Sequence, residues 1–222
     1  NGKTMKNQDM FESLDATLAA ELFTETVYPW EVLPKIKAFV RALGPTLDPA
    51  EYDNPSEEVW IHKSVKRYPN VYIEGPAIIC AETELRPGAF LRGSVLVGKA
   101  CVVGNSTELK NCILFDHVQV PHYNYVGDSI LGSYAHMGAG AICSNVKSDK
   151  TNVVVRGDLT IETGLRKFGA ILGDHVEVGC NSVLNPGTVL EPYVSVYPLS
   201  NVRGVVKRGH IHKAHGEIVQ RI

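Results

Sequence analysis

The chain lacks several things that would decide its class quickly. Nowhere in its 222 residues is there an apolar run of the roughly 18 residues that a membrane-crossing helix needs. The N-terminal string NGKTMKNQDM has no apolar core of a secretory signal, so Met5 reads as the native start and residues 1–4 are left out of the fold reading. Charge of one sign is also missing. Lys and Arg total 22 against 24 Asp and Glu, a formal net charge of −2, which gives no whole-molecule grip on nucleic acid or an anionic membrane. The five cysteines, Cys80, Cys101, Cys112, Cys143 and Cys180, are odd in number and form no C-x-x-C pair. That argues against a disulfide framework and a zinc knuckle. Free thiols without an export signal fit a reducing cytoplasm.

What the chain does have is a period of six. Counting from Ile73, every sixth residue is apolar: Ile73, Ile79, Leu85, Leu91, Val97, Val103, Leu109 and Phe115. Four residues after the first six of these stand Ala77, Thr83, Ala89, Val95, Cys101 and Thr107, all small or β-branched. A second array runs Leu172, Val178, Leu184, Leu190, Val196 and Val202, with Leu131, Met137 and Cys143 between the two. Six is neither the helical period nor simple alternation. It fits short strands joined by sharp corners, the first residue inside a narrow prism and the fourth-offset residue inside near a corner, where it must be small. This is the hexapeptide parallel β-helix pattern, three hexads to a coil. A sandwich of short antiparallel strands is the alternative, and fixed spacing across hairpin loops argues against it.

The repeat is interrupted at Pro121–Tyr125 and again by an excursion at 144–167. Loops leaving a rigid scaffold are where function concentrates. Ahead of the repeat, Val32, Leu33, Ile36, Phe39, Val40 and Leu43 lie along one face of a helix over Glu31–Leu43, ended by Gly44-Pro45. Phe11–Phe23 is a weaker helical candidate. The division that follows is a helical arm and linker over 1–57, a β-helix over 58–203 and a tail over 204–222. The arm's apolar face is expected to cap an open end of the coil stack or a neighbour.

The strings LRPGAFLRG, VVGNSTELKN, HYNYVGDSILG, MGAGAICSN and KFGAILGDHVEVGC occur in that order between Glu84 and Leu199. With that spacing the segment resembles the acetyltransferase domain of the bifunctional N-acetylglucosamine-1-phosphate uridyltransferase/glucosamine-1-phosphate acetyltransferase family, and more closely its archaeal-type sugar-1-phosphate members. The resemblance implies an all-β fold, a left-handed parallel β-helix forming a homotrimer in the cytoplasm, with active sites between subunits and acetyl-CoA lying along the coils. It implies N-acetylation of an amino-sugar phosphate, glucosamine-1-phosphate first among the acceptors. His122 matches the catalytic base and Glu108 the carboxylate that orients it. A histidine titrates near neutral pH and accepts the proton that an attacking amine must lose. Arg86, Lys110 and Lys167 match the cations that hold the sugar phosphate, with Lys150 a rival for the last place. Tyr125 and Asn145 match residues that hold the sugar and its phosphate. Ala139 and Cys180 match the places where main-chain groups meet acetyl-CoA.

The chain departs from that pattern in showing no nucleotidyltransferase domain, and whether a separate nucleotidyltransferase is a partner stays open. His136 replaces an asparagine, SNVKSD replaces the bacterial CNYDG, and Cys180 replaces a common serine. Three alternatives stand beside it. A catalytically silent β-helix assembly module would keep the scaffold without turnover, and another amino sugar, including a nucleotide-linked one, could be the acceptor. The five-residue spacing of His117 and His122 occurs in γ-type carbonic anhydrases, but Ala81 stands where that family has its third histidine. No metal is therefore assigned, and His210, His212 and His215 read as a solvated tail.

Overall fold

The computed structural model describes residues 5–214 and 216–222. A solenoid of about nine turns carries nearly all the β structure. Its ladders are parallel and in fixed register: Ala77 pairs with Val95, Val95 with Cys112, and Cys112 with Ser129. Parallel pairing at this spacing makes a parallel β-helix and excludes the antiparallel sandwich.

Each coil has three faces. One, the covered face, holds Ala77–Ile79, Val95–Val97, the second half of Glu108–Leu114 and of Tyr125–Leu131, Ala170–Leu172 and Thr188–Leu190. A polar face holds Glu84–Leu85, Val102–Asn105, Gln119–His122, His136–Met137 and Glu177–Val178. An open face holds Phe90–Leu91, the first half of the two long strands, Ile142–Cys143 and Val183–Leu184. Asn111 and Asp128, both at positive φ, are the corners where the long strands turn from the open to the covered face.

The prism is filled as the period of six requires. Leu85, Leu91, Val97, Val103 and Leu109 are fully buried in one apolar column system. The small inner polar residues return their hydroxyls to corner carbonyls: Thr83 donates to Gly98 at 2.7 Å and Thr107 to Val120 at 2.9 Å. Buried donors and acceptors are thereby matched where the chain bends. The count in sixes slips at Leu114 and again at Leu131. Coils through this region repeat every 17 rather than 18 residues, and Leu114, paired with Val97 and Leu131, takes the inner place expected of Phe115. Phe115 points outward, stacked on Phe11 at 4.5 Å and edge-on to Phe23.

That contact belongs to a second core. The helical arm lies along the covered face, burying Met10, Phe11, Phe23, Trp30, Leu33 and Ile36 against the outward residues Ile78, Leu96, Ile113 and Ile130. The arm therefore roofs a flank and caps neither end. The ends are closed by antiparallel strands, Tyr52–Ser56 on Val59–His62 and Ile218–Gln220 on His210–His212. Coils continue past Val202 through Val205–Val206 and His210–His212, so the segment expected to be a tail is part of the solenoid. His215 lies outside the described residues. The arm's helices are short: Asn7–Met10, Ala20–Thr24 and Ile36–Leu43, with a 3-10 stretch Pro29–Lys35 before the last. Pro34, without an N–H to donate, sits in the 3-10 segment, and the expected helix reaches α geometry only from Ile36.

The corner between the covered and polar faces carries a ladder. His117, Tyr134, His175 and Tyr193 occupy the same corner position in successive coils, all at positive φ, with rings stacked at 4.5, 5.0 and 4.9 Å. Left-handed geometry costs a side-chain-bearing residue about 1–2 kcal/mol, and each aromatic stack returns about 0.5–1.5 kcal/mol. The guanidinium of Arg208 closes the ladder over Tyr193 at 5.1 Å.

Candidate functional site

His122 ends the strand Gln119–His122, at the corner between the polar and open faces. Its turn is fixed from beneath. Asn124 is only 2% exposed and projects into the prism where neighbouring coils have threonine or alanine. Its amide donates to the carbonyls of Gly138 and Ala141 at 2.9 and 3.0 Å, and its Oδ1 accepts from the His122 N–H at 3.1 Å. The imidazole is left exposed. Gly104, opposite Pro121, has the Pro121 carbonyl so close that any Cβ would collide with it, and this permits the turn to close.

Register carries that corner upward. Gln119 pairs with His136 and His136 with Glu177, which puts Ala139 one coil from His122 and Cys180 two coils away. At about 4.8 Å per coil, His122, Ala139 and Cys180 form one column about 10 Å tall. The carbonyls of Ala139 and Cys180 accept from Asn181 and Leu199. Among the described residues the N–H groups of Ala139 and Cys180 have no backbone acceptor. Both remain able to donate to a ligand lying along the column.

The open face beside the column holds the polar cluster. Glu108 and Tyr125 are paired across adjacent coils. Arg92 donates to Glu108 at 2.8 Å, so the Glu108 carboxylate is engaged by a guanidinium and not by the His122 ring. At the far corner Asp128, nearly buried, accepts from Lys110 at 3.0 Å, Asn111 at 2.9 Å and Asn145 at 2.6 Å. The Tyr125 ring folds back over Gly127, where a Cβ would strike its hydroxyl. Burial first, then the charges of Asp128 and Glu108, push the Tyr125 phenol up from its ordinary value.

The structure thus brings Glu108, Lys110, Tyr125 and Asn145 together on one face. Lys167 joins them: it bridges Val146, and the next residue, Phe168, donates its N–H to Asn145. Lys150 instead sits on an exposed turn of the excursion. Arg86 lies on the polar face two coils before His122, beside Glu84 at 3.4 Å and apart from the cluster. His117 belongs to the ladder at a different corner from His122. His136, in register with Glu177, is paired to it at 2.8 Å. Arg92, Asp128 and Asn124 were missed from sequence. Arg92 stands in the quoted LRPGAFLRG string, one coil before Lys110, and register alone would have found it.

A family model described as GMPPB C-terminal domain matches residues 73–198. The chain belongs to the GMPPB C-terminal domain family. All the residues named from sequence, Arg86 to Cys180, fall inside that match, while the arm and the last coils lie outside it. Two curated relatives of the chain are the bifunctional sugar-1-phosphate nucleotidylyltransferase/acetyltransferase of Sulfurisphaera tokodaii and the bifunctional protein GlmU of Methanococcus vannielii. The first is 30% identical over 163 residues, covering 65% of this chain and 41% of the relative. The second is 34% identical over 161 residues, covering 72% of this chain and 39% of the relative. The chain thus spans about two fifths of the length of these relatives. A solved structure of the polySia-specific acetyltransferase NeuO aligns at 12% identity and a TM-score of 0.43, over 75% of this chain and 88% of that one. The fold rests on the strand pairing and not on that likeness. Among the described residues no helix is long and apolar enough to cross a membrane.

Proposed function

We propose that the chain is an acetyl-CoA-dependent N-acetyltransferase whose acceptor is an amino-sugar phosphate, with glucosamine-1-phosphate the first acceptor to test. The observation that carries the reading is the column of His122, Ala139 and Cys180 standing beside an open face with cations at its far corner. Acetyl-CoA lies along the column, its thioester oxygen taking hydrogen bonds from main-chain N–H groups at Ala139 and Cys180. Such donors stabilise the oxyanion that forms on attack. The sugar lies across the open face between Tyr125 and Asn145. Its phosphate meets Lys167, with Lys110 next to it and Arg86 and Lys150 as outlying candidates. His122 accepts the proton from the attacking amine, and Glu108 acts on the imidazolium through its charge rather than through a direct hydrogen bond. The nitrogen attacks the thioester carbonyl, the C–S bond breaks, and the CoA thiol leaves with a proton.

Assembly as a homotrimer, with a neighbouring copy closing the open face, belongs to the same reading, as does a separate nucleotidyltransferase as a partner. The test is thiol release from acetyl-CoA with glucosamine-1-phosphate, galactosamine-1-phosphate and glucosamine as acceptors. Exposed Cys180 requires a blank without acceptor. Turnover with a phosphorylated acceptor, reduced about 10²–10⁴-fold in His122→Ala, is the expected result. Undiminished turnover in the variant removes His122 as the base. Acetyl-CoA binding without turnover on any acceptor favours the silent module.

A further inference from the structure

The excursion builds a feature that acetyl transfer to a sugar monophosphate leaves unused. The strands Val154–Arg156 and Thr160–Glu162 form a hairpin whose Val153 and Val155 are fully buried in the core on the covered face. Asp158 reaches the last coils and pairs with Lys207 at 2.8 Å. Anchored in this way, the hairpin walls a cleft of about 340 Å³, lined among others by Ser144, Lys147, Val154, Arg156, Asn185 and Arg203.

Two guanidiniums and an ammonium share that cleft. Among the described residues Arg156 and Arg203 have no side-chain partner within hydrogen-bond or ion-pair distance, although Asp149 lies in the same wall. The Asp149 carboxylate is tied to Thr151, at 3.0 Å to its N–H and 2.7 Å to its hydroxyl, and lies 3.9 Å from Lys147. Two like charges facing one cavity repel unless an anion joins them, and the guanidinium fork matches a phosphate.

Register places the cleft on the acceptor side. Lys110 pairs with Gly127, and the same column continues through Ser144 and Asn185 to Arg203. From Ser144, next to Asn145, to Arg203 is two coils, about 10 Å. The column of His122, Ala139 and Cys180 runs along the opposite edge of the open face. A molecule holding its amine at His122 and its first phosphate near Lys167 would enter the cleft only by continuing beyond that phosphate.

We infer that the cleft holds the outer phosphate and nucleoside of an extended acceptor, an amino sugar carried on a nucleoside diphosphate. This rests on the acetyl-transfer reading for its chemistry, but the cleft itself is tested by binding. Val154 and Pro186 offer the apolar wall against which a nucleoside lies, and the volume suits a group of that size.

The experiment is calorimetric titration of the protein with uridine diphosphate, guanosine diphosphate and CoA, repeated on Arg156→Gln and Arg203→Gln. Melting curves verify that the exposed substitutions leave the fold intact. The expected result is binding of at least one nucleoside diphosphate, weakened tenfold or more in each variant, with CoA affinity unmoved. KM for a nucleotide-linked amino sugar should rise by a similar factor. Three outcomes overturn the proposal: neither nucleotide binds at millimolar concentration, the variants bind them as well as the parent, or CoA affinity falls in place of nucleotide affinity. If no acceptor is acetylated but nucleotide binding is lost in the variants, the acetyl-transfer reading fails and the nucleotide site stands.

Discussion

Phe115 and Leu114 are neighbours in the chain with opposite destinations. Both are apolar, and hexad counting selects the phenylalanine. One coil is a residue shorter than the period, so the leucine goes inside and the phenylalanine outside, under the arm. Nothing in hydrophobicity distinguishes them; only the partners Val97 and Leu131 do. Phe115→Ala should lower stability by about 3–5 kcal/mol, because the ring is 1% exposed and packs on two others. A chemical denaturation curve measures this; a change under 1 kcal/mol would mean the arm is loosely held. Asn124 carries a comparable lesson at the site. Asn124→Ala leaves the Ala141 carbonyl and the His122 N–H without a partner, a loss of about 1–3 kcal/mol per group, while the Gly138 carbonyl keeps the Ala141 N–H. It should also lower kcat more than it raises KM, because the His122 turn loses its support and the acceptor face does not.

At the scale of elements, the short helices and the hairpin act as roofing. The covered face is apolar outside as well as inside, with Ile78, Leu96, Ile113 and Ile130 in its middle row. Those residues fall between the hexad positions, and their regularity could have been read from the sequence as a second apolar row. A chain ending its arm at residue 50 on the N-terminal side would expose that row, and light scattering should show association together with a lowered melting temperature. The terminal coil holds a titratable inner residue. His212 pairs with Val196 in an inner column, and burial lowers its pKa from 6.5. The unfolded chain therefore takes up a proton more readily than the folded one. The contribution is complete above about pH 6.5 and is lost as pH falls through the folded pKa. His212→Val should lose less melting temperature between pH 7.5 and 5.5 than the parent; equal losses would place the acid sensitivity elsewhere.

For the whole molecule, the solenoid sorts the thiols. Cys80, Cys101, Cys112 and Cys143 are buried and Cys180 is exposed. Burial pushes the thiols of Cys80 and Cys143 up to about 11 and about 12, and those of Cys101 and Cys112 up as well. An aromatic disulfide reagent at pH 8 should titrate one thiol rapidly in the folded protein and the rest only on unfolding. More than one fast thiol would mean that coils open on the time scale of the reagent. The same geometry divides the functions proposed here between two corners of one face, the cosubstrate on the His122 edge and the acceptor on the Asp128 edge.

The period of six was sufficient by itself to determine the β-helix, because strand length, corner and inner residue repeat together and local spacing encodes them. It also marked the 144–167 excursion, which interrupts the repeat, whereas at Pro121–Tyr125 the coil runs on in register, Val120 and Val126 both filling inner places. Only the tertiary structure decided what the arm covers, that Leu114 rather than Phe115 lies inside, and that Arg92 rather than Arg86 stands beside Glu108. Those outcomes depend on register between coils 17, 18 or 41 residues apart. Backbone pairing over such separations fixes which side chains meet, and a local pattern contains no term for it.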